Sequence, residues 1–143
     1  PDVYAAGDCV SFPLSVYGGR RVRLESWRSA QDQGALAAAN MLGKNEQITN
    51  VPWFWSDQYD LTLQIVGLQD EGTTIARRDL SDTAFILFHL ADDGRLVAAS
   101  GIGHGNAVAK DIRLAEMIIA KRLAPSPVDL ADPGINLKRL LAG

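Results

Sequence analysis

Apolar and polar positions alternate through the middle of the chain, as they do in β-strands. Leu61, Leu63 and Ile65 alternate with polar neighbours, and further short apolar runs follow. Turn signals separate the runs at Asp70-Glu71-Gly72 and at Asp92-Asp93-Gly94. The pattern predicts four strands, at 61–67, 73–77, 84–90 and 96–102.

A helical period appears before these strands. The first helix is predicted from about residue 30 to residue 42, because Ser29 and Asp32 have the spacing of a capping box and Gly43 is a typical helix stop. Its apolar face is rich in alanine, which predicts close packing against another element. This face consists of Ala35, Ala38, Ala39 and Leu42.

A second helical segment follows the strands. It is predicted to begin near Asn106 and to end near Leu123, and its apolar residues recur on one face at Val108, Ile112, Ala115 and Ile119. Shorter helical turns are predicted at 127–131 and 136–141. Strands in the middle with helices on either side predict an α+β fold with a mostly antiparallel sheet of four to five strands.

The composition is that of one ordinary globular domain. Of the 143 residues, 47% are apolar and 22% charged, and the formal net charge is −3. A slight excess of acidic groups excludes a generally basic nucleic-acid binder. No apolar run approaches the roughly 18 residues that span a bilayer, and no signal segment opens the chain. We therefore expect a cytoplasmic protein without a membrane or nucleic-acid partner.

Most candidate reactive side chains have a structural interpretation. His89, His104 and the lone Cys9 do not have the spacing of metal ligands, so no metal site is predicted. No serine lies in a nucleophile elbow, and no catalytic residue is assigned. The glycine-rich stretch 101–105 lacks the GxGxxG spacing, which favours a strand-to-helix turn over a nucleotide site.

The first residues of the chain are more informative. Val3 to Gly7 is predicted to be a buried strand that runs into a tight turn at Asp8. The small residues before Asp8 allow a ligand to approach, and its carboxylate can accept two hydrogen bonds from sugar-type hydroxyls. On this local pattern alone, an aspartate that caps a turn is equally favoured. The chain has no initial Met, and a strand at a terminus requires neighbours. We therefore expect the chain to be a fragment of a longer protein.

The sequence Val3-Tyr4-Ala5-Ala6-Gly7-Asp8 resembles the second flavin-contact motif of FAD-dependent pyridine-nucleotide oxidoreductases. Further segments resemble one subgroup, the ferredoxin reductases that supply ring-hydroxylating dioxygenases and bacterial cytochromes P450. The most specific of them is the sequence from Pro52 to Gln58, PWFWSDQ. Other similar segments are VRLESW at 22–27, AQDQG at 30–34 and AAAN at 37–40.

The resemblance implies that the complete protein binds FAD and uses NAD(P)H as a substrate. Asp8 matches the residue that binds a ribityl hydroxyl, and Gly7 lets the chain turn against the cofactor. Trp27 matches a position whose backbone N–H faces the edge of the flavin ring, at the positive end of the first helix. Gln31 is the first-turn side chain near that edge. Trp53 and Trp55 match an aromatic pair beside the isoalloxazine. Without the resemblance, the favoured interpretation is that both side chains fill the junction between two domains.

The resemblance also implies a [2Fe–2S] ferredoxin as electron acceptor. Trp55 is expected on the side that faces it. Four arginines could dock an acidic ferredoxin, and the alternatives are a solvated loop or internal pairing with Glu25. These arginines are Arg20, Arg21, Arg23 and Arg28. Cys9 is expected to be buried beside the FAD pocket.

In domain terms, residues 1–50 are expected to be the C-terminal remnant of an FAD-binding domain, namely the last strand and helix of a truncated Rossmann-like fold. Residues 51–143 are expected to be the C-terminal interface domain. Since the fingerprints of both nucleotide sites are missing along with the N-terminal FAD and NAD domains, the isolated fragment is expected to be inactive and to hold FAD weakly or not at all. The truncation would leave apolar surface bare around residues 53–55, so the fragment is expected to self-associate through that face. The alternative is a freestanding interaction or dimerisation module that uses its sheet for dimerisation or docking.

Overall fold

A computed structural model describes residues 3–142. The chain divides into two compact units, the first ending at Pro52 and the second beginning at Trp53. Among the described residues, no helix is both long enough and apolar enough to cross a bilayer.

The first unit contains a small hairpin followed by a helix. Strands β1 (Phe12–Leu14) and β2 (Arg20–Val22) pair antiparallel, and a 3-10 helix at Ser15–Tyr17 joins them. The apolar side chains of Phe12, Leu14 and Val22 are buried, which explains why this short ribbon forms. The sequence pattern does not predict this hairpin, because three-residue strands are too short to show a hydrophobic period.

Helix α1 (Trp27–Met41) begins three residues earlier than predicted. Ser26 is the N-cap, and its side chain accepts a hydrogen bond from the backbone N–H of Ser29 at 3.4 Å. The predicted capping box at Ser29 is therefore wrong. Asp32 instead pairs with Arg28, one helical turn earlier, at 3.1 Å.

Two other predictions for this unit are wrong. Residues 3–6 form no strand and are exposed; the strands of this unit, β1 and β2, pair with each other and not with this segment. The alanine-rich face of α1 is not packed as expected, since Ala35, Ala38 and Leu42 are exposed.

The second unit is a five-stranded, fully antiparallel sheet with helices after it. The strand order is β3–β4–β7–β6–β5. The strands are β3 (Trp53–Gln58), β4 (Leu61–Gly67), β5 (Thr74–Ser81), β6 (Ala84–Leu90) and β7 (Leu96–His104). The predicted α+β class is confirmed, and β3 is the strand that the apolar pattern did not predict.

Helix α2 (Ala109–Ala120) packs on β7 and β4, and helix α3 (Pro127–Ala131) packs on β5. A final 3-10 helix, Leu137–Leu141, contacts α2. The glycines of β7 permit this packing: a Cβ at Gly101 would lie 3.0 Å from the Cβ of Val108, and one at Gly103 would lie 2.9 Å from the Cβ of Ala84. Their role is therefore close approach within the core.

Arg78 of β5 holds the chain around α3 against the sheet. Its side chain is only 4% exposed and lies 3.2 Å from the Asp111 carboxylate, an ion pair without hydrogen-bond geometry. The guanidinium also donates to four backbone carbonyls, those of Leu130, Asp132, Pro133 and Ile135, at 2.7–3.4 Å. The segment after α3 has little regular structure, and the hydrogen bonds from Arg78 hold it against β5.

Replacement of Arg78 by Met should destabilise the chain by about 3–5 kcal/mol, because it leaves a carboxylate and several carbonyls without their partner. The matched control is Arg77→Met. Arg77 is largely exposed and contacts Phe85 and Asp79, so its loss should cost no more than about 1 kcal/mol. Urea unfolding measures both variants, and equal losses would contradict the anchoring role of Arg78.

His89 is buried in β6, and its Nε2 has no hydrogen-bond partner in the part of the chain that the structure describes. Burial lowers the pKa of this imidazole below its ordinary value of 6.5. The unfolded chain therefore binds a proton more readily than the folded chain. Stability should be constant above about pH 6.5 and should fall as the pH drops from there towards the lowered pKa.

The pH dependence of unfolding in urea tests this between about pH 5.5 and pH 7.5. The variant His89→Leu should lose most of the decrease, while the control His104→Gln, at an exposed position, should keep it. An unchanged pH dependence in His89→Leu would show that another group is responsible.

Candidate functional site

The turn at Gly7 is fixed by hydrogen bonds on both sides of the residue. Its backbone N–H donates to the Gln33 side-chain oxygen at 2.9 Å, and its carbonyl accepts from the backbone N–H of Val10 at 3.0 Å. Gly7 has φ +91°, a conformation that favours glycine. Asp8 follows directly and is exposed. The peptide bond between Gly7 and Asp8 is held in place by the hydrogen bond from Val10 to the Gly7 carbonyl.

Gln33 connects this turn with the start of α1. It is 3% exposed and is the buried residue of α1. Its amide nitrogen donates to the Ser29 hydroxyl at 2.8 Å, and the Ser29 backbone N–H donates to the Ser26 hydroxyl. A continuous network therefore runs from the helix cap through Gln33 to Gly7.

The start of α1 lies in the same unit as the Asp8 turn. Trp27 is the first residue of the helix and is 63% exposed, and Gln31 is exposed one turn later. The first N–H groups of a helix have no acceptor within it, and together they carry about half a positive charge. This end of α1 can therefore stabilise negative charge on a nearby group.

Trp53 and Trp55 lie two residues apart on β3 and therefore on the same face of the strand. Their rings stack with centroids 5.0 Å apart and an angle of 24° between the planes. Both residues are half-buried, whereas Phe54 between them is 41% exposed. The pair forms a continuous aromatic surface in the second unit.

The arginines predicted to dock a partner are partly engaged within the chain. Arg23 pairs with Glu25 at 3.2 Å, and Arg28 pairs with Asp32. Arg21 donates to the carbonyl of Ser11. The alternative of internal pairing with Glu25 is thus realised for Arg23, and these contacts reduce the free positive charge of the cluster.

The remaining candidates do not form a reactive cluster. Cys9 is exposed, so the expectation that it is buried is wrong; the described residues of its unit do not enclose it. His104 lies 3.2 Å from the Asp60 carboxylate at an exposed position. Over residues 3–142, no group of three His, Cys, Asp or Glu side chains is arranged to hold a metal ion.

Two groups of predicted site residues result, one in each unit. Gly7, Asp8, Trp27 and Gln31 belong to the first unit, and the tryptophan pair belongs to the second. Sequence analysis missed Gln33. The signal available for it was its position four residues after Ser29, where two side chains meet on one face of a helix.

The family model described as Reductase C-terminal matches residues 53–141, from the start of β3 to the last 3-10 helix. The chain belongs to this family. The matched Reductase C-terminal region contains Trp53, Trp55 and Arg78, together with all five strands of the large sheet.

Two curated relatives extend the similarity to nearly the whole chain. One is the ferredoxin–NAD(+) reductase component of the anthranilate 1,2-dioxygenase system of Burkholderia cepacia, with 44% identity over 140 residues, 97% of this chain and 33% of that protein. Another is putidaredoxin reductase of Pseudomonas putida, with 34% identity over 99% of this chain and 32% of that protein.

The fold matches a chain in the crystal structure of the covalent putidaredoxin reductase–putidaredoxin complex. The TM-score is 0.84 at 33% identity, and the match covers 96% of this chain and 32% of that chain. The chain thus spans about one third of the length of the relatives that it matches. The resemblance to the ferredoxin reductases that the motifs indicated is confirmed.

Proposed function

We propose that this chain acts as part of an FAD-dependent NAD(P)H:ferredoxin oxidoreductase that supplies electrons to a [2Fe–2S] ferredoxin, and through it to a dioxygenase or a cytochrome P450. The observation that carries the proposal is the 44% identity, over 97% of the chain, to a ferredoxin–NAD(+) reductase component of a dioxygenase system. We assign residues 1–50 to the end of the FAD-binding domain and residues 51–143 to the C-terminal domain.

The turn at Gly7 and Asp8 suits a polyol such as the ribityl chain of FAD. The Asp8 carboxylate is exposed and can accept two hydrogen bonds from neighbouring hydroxyls. Among the described residues, no atom other than those of Gly7 and its two chain neighbours lies within 4 Å of the position that a Cβ would take on Gly7, so a ligand can approach the backbone there. These residues fit the proposed cofactor.

The start of α1 would serve the flavin ring itself. In this proposal the backbone N–H of Trp27 and the Gln31 side chain lie at the pyrimidine edge of the ring. The positive helix end would then favour the reduced ring, which carries additional negative charge.

The stacked pair Trp53 and Trp55 would form a wall beside the ring and exclude water from it. Large aromatic surfaces do this with little loss of conformational entropy on binding, and a half-buried stack is already rigid. When bound, FAD supplies the chemistry, accepting a hydride from NAD(P)H and passing on single electrons. The residues of this chain hold and shield it.

Ferredoxin is proposed to dock near Trp55 and the arginines Arg20, Arg21, Arg23 and Arg28. One matched crystal structure is of a complex between a related reductase and putidaredoxin, which supports a protein partner for this fold. Positive charge on the reductase would increase the encounter rate with an acidic partner.

A chimera tests the cofactor site. This chain replaces the matched third of the Burkholderia cepacia relative, and purified protein is assayed for flavin absorbance and NADH-dependent ferredoxin reduction. Asp8→Ala should lower the bound FAD and weaken its affinity at least about 10-fold, because two hydrogen bonds to a charged acceptor are lost.

The control for this test is Asp82→Ala, which removes an exposed carboxylate in the turn between β5 and β6. It should leave FAD content unchanged. Normal FAD content in Asp8→Ala would refute the assignment of Asp8, and an unmodified chimera that folds but binds no flavin would refute the proposed function.

The docking proposal predicts a salt dependence. Reduction of ferredoxin by the chimera should slow several-fold between about 0.05 M and about 0.3 M salt. Combined replacement of Arg20 and Arg23 by Gln should lower the rate at low salt and flatten this dependence. Lys44→Gln, at an exposed loop position, is the control. A rate that is insensitive to salt would contradict docking through the arginines.

The alternative function is that of an interaction or dimerisation module without catalysis. If residues 53–55 served self-association, the 143-residue chain would form dimers in a concentration-dependent manner, and Phe54→Ser would abolish them. Phe54 is the exposed residue of the three. Self-association through this face is equally expected of a truncated flavoprotein, so analytical ultracentrifugation tests the face itself: a monomer at high concentration would contradict it. Absence of flavin binding in the chimera is the result that would favour the alternative module.

A further inference from the structure

We propose that Gln33 is a positioning residue for the cofactor site: it sets the direction of the Asp8 carboxylate relative to the start of α1. This inference depends on the proposed function, since the ligand of Asp8 is taken to be the ribityl chain of FAD. It assigns a role to a residue that the motifs did not single out.

The geometry of the Gly7 peptide is the first argument. The turn around Asp8 contains no regular secondary structure, and one backbone bond, from Val10 N–H to the Gly7 carbonyl, closes it. The Gly7 N–H is held by Gln33 at 2.9 Å. The two bonds hold the two peptide planes that flank Gly7: Gln33 holds the Ala6–Gly7 peptide and Val10 holds the Gly7–Asp8 peptide. The backbone that leads into Asp8 is therefore fixed on both sides of Gly7.

The burial of Gln33 is the second argument. A glutamine that is 3% exposed must satisfy its amide inside the protein, since a buried polar group without a partner is destabilising. Its oxygen uses the Gly7 N–H and its nitrogen uses the Ser29 hydroxyl. The side chain therefore has a fixed orientation, and its hydrogen bond to the Gly7 N–H restricts the turn to one position relative to α1.

The third argument is where the network ends. The backbone N–H of Ser29 also donates to the hydroxyl of the N-cap residue Ser26, so the same network orders the first turn of α1. Gln33 thus joins the two elements that the proposed site needs, an anionic side chain for a polyol and a helix end for a ring. The hydrogen bonds of Gln33 make this connection within the chain itself, independently of the cofactor.

Replacement by methionine tests the proposal, because Met has a similar length but neither donates nor accepts well. In the chimera with the Burkholderia cepacia relative, Gln33→Met should weaken FAD affinity about 10-fold, measured by flavin fluorescence titration. Gln33→Glu should restore most of the affinity, since its carboxylate can accept from both the Gly7 N–H and the Ser29 hydroxyl. Ser29→Ala should give a smaller weakening in the same direction.

A double-variant cycle separates positioning from general destabilisation. If Gln33 acts through Asp8, then Asp8→Ala combined with Gln33→Met should lose no more affinity than Asp8→Ala alone. Ala35→Gly is the control, because glycine at an exposed helix position destabilises α1 without touching the network. It should leave FAD affinity within about twofold.

The outcomes are distinguishable from those of the proposed function. If the unmodified chimera binds FAD and Asp8→Ala weakens it, the cofactor site stands. In that case, wild-type affinity in Gln33→Met, or losses from the two variants that add in full, would overturn the role of Gln33. If Gln33→Met does not fold, the other two variants decide. A large loss of FAD affinity in Gln33→Glu, or wild-type affinity in Ser29→Ala, would overturn the role of Gln33.

Discussion

A buried polar side chain is stabilised by hydrogen bonds, and in each unit of the chain one such side chain bonds to a segment distant in sequence. In the first unit the buried amide of Gln33 binds the Gly7 turn on one side and Ser29 on the other. In the second, the buried guanidinium of Arg78 binds Asp111 and four carbonyls around α3. In each case one side chain orders a segment that has little regular structure of its own.

The two units use apolar burial to different extents. The second unit has a continuous core between its sheet and α2, which includes Ile86, Phe88 and Ile112. The first has a three-residue hairpin with a few buried apolar side chains, and a helix that buries a glutamine. Hydrogen bonds therefore carry a larger share of the specificity in the first unit, where the proposed contacts to the ribityl chain and to the edge of the flavin ring lie.

This distribution fits a site that must accept a polar ligand. A polyol needs an exposed, oriented carboxylate, which an apolar core cannot provide. A turn held by side-chain hydrogen bonds can present Asp8 to solvent while its backbone stays fixed. In the second unit, the stacked tryptophans of β3 form a flat, half-buried surface of the kind that packs against an aromatic ring.

The family and most of the second unit were accessible from the sequence. Alternation over 61–102 predicted four strands, and the structure has them with shifts of a few residues at β5 and β7. The motif from Pro52 to Gln58 indicated the ferredoxin reductases. β3 escaped the pattern because its tryptophans and phenylalanine give no alternation of apolar and polar residues. The strand at Val3–Gly7 was expected from composition, but a strand requires a partner, and composition does not supply one.

The sequence by itself determined the elements whose local signals are strong: the alternating strands, the 3.6-residue period of α2, and the proline-started turn of α3. Only the tertiary structure decided which residues bridge distant segments. Gln33 reaches Gly7 across 26 positions and Arg78 reaches Ile135 across 57. No local periodicity encodes such contacts, because their energy depends on burial and on partners that folding brings together.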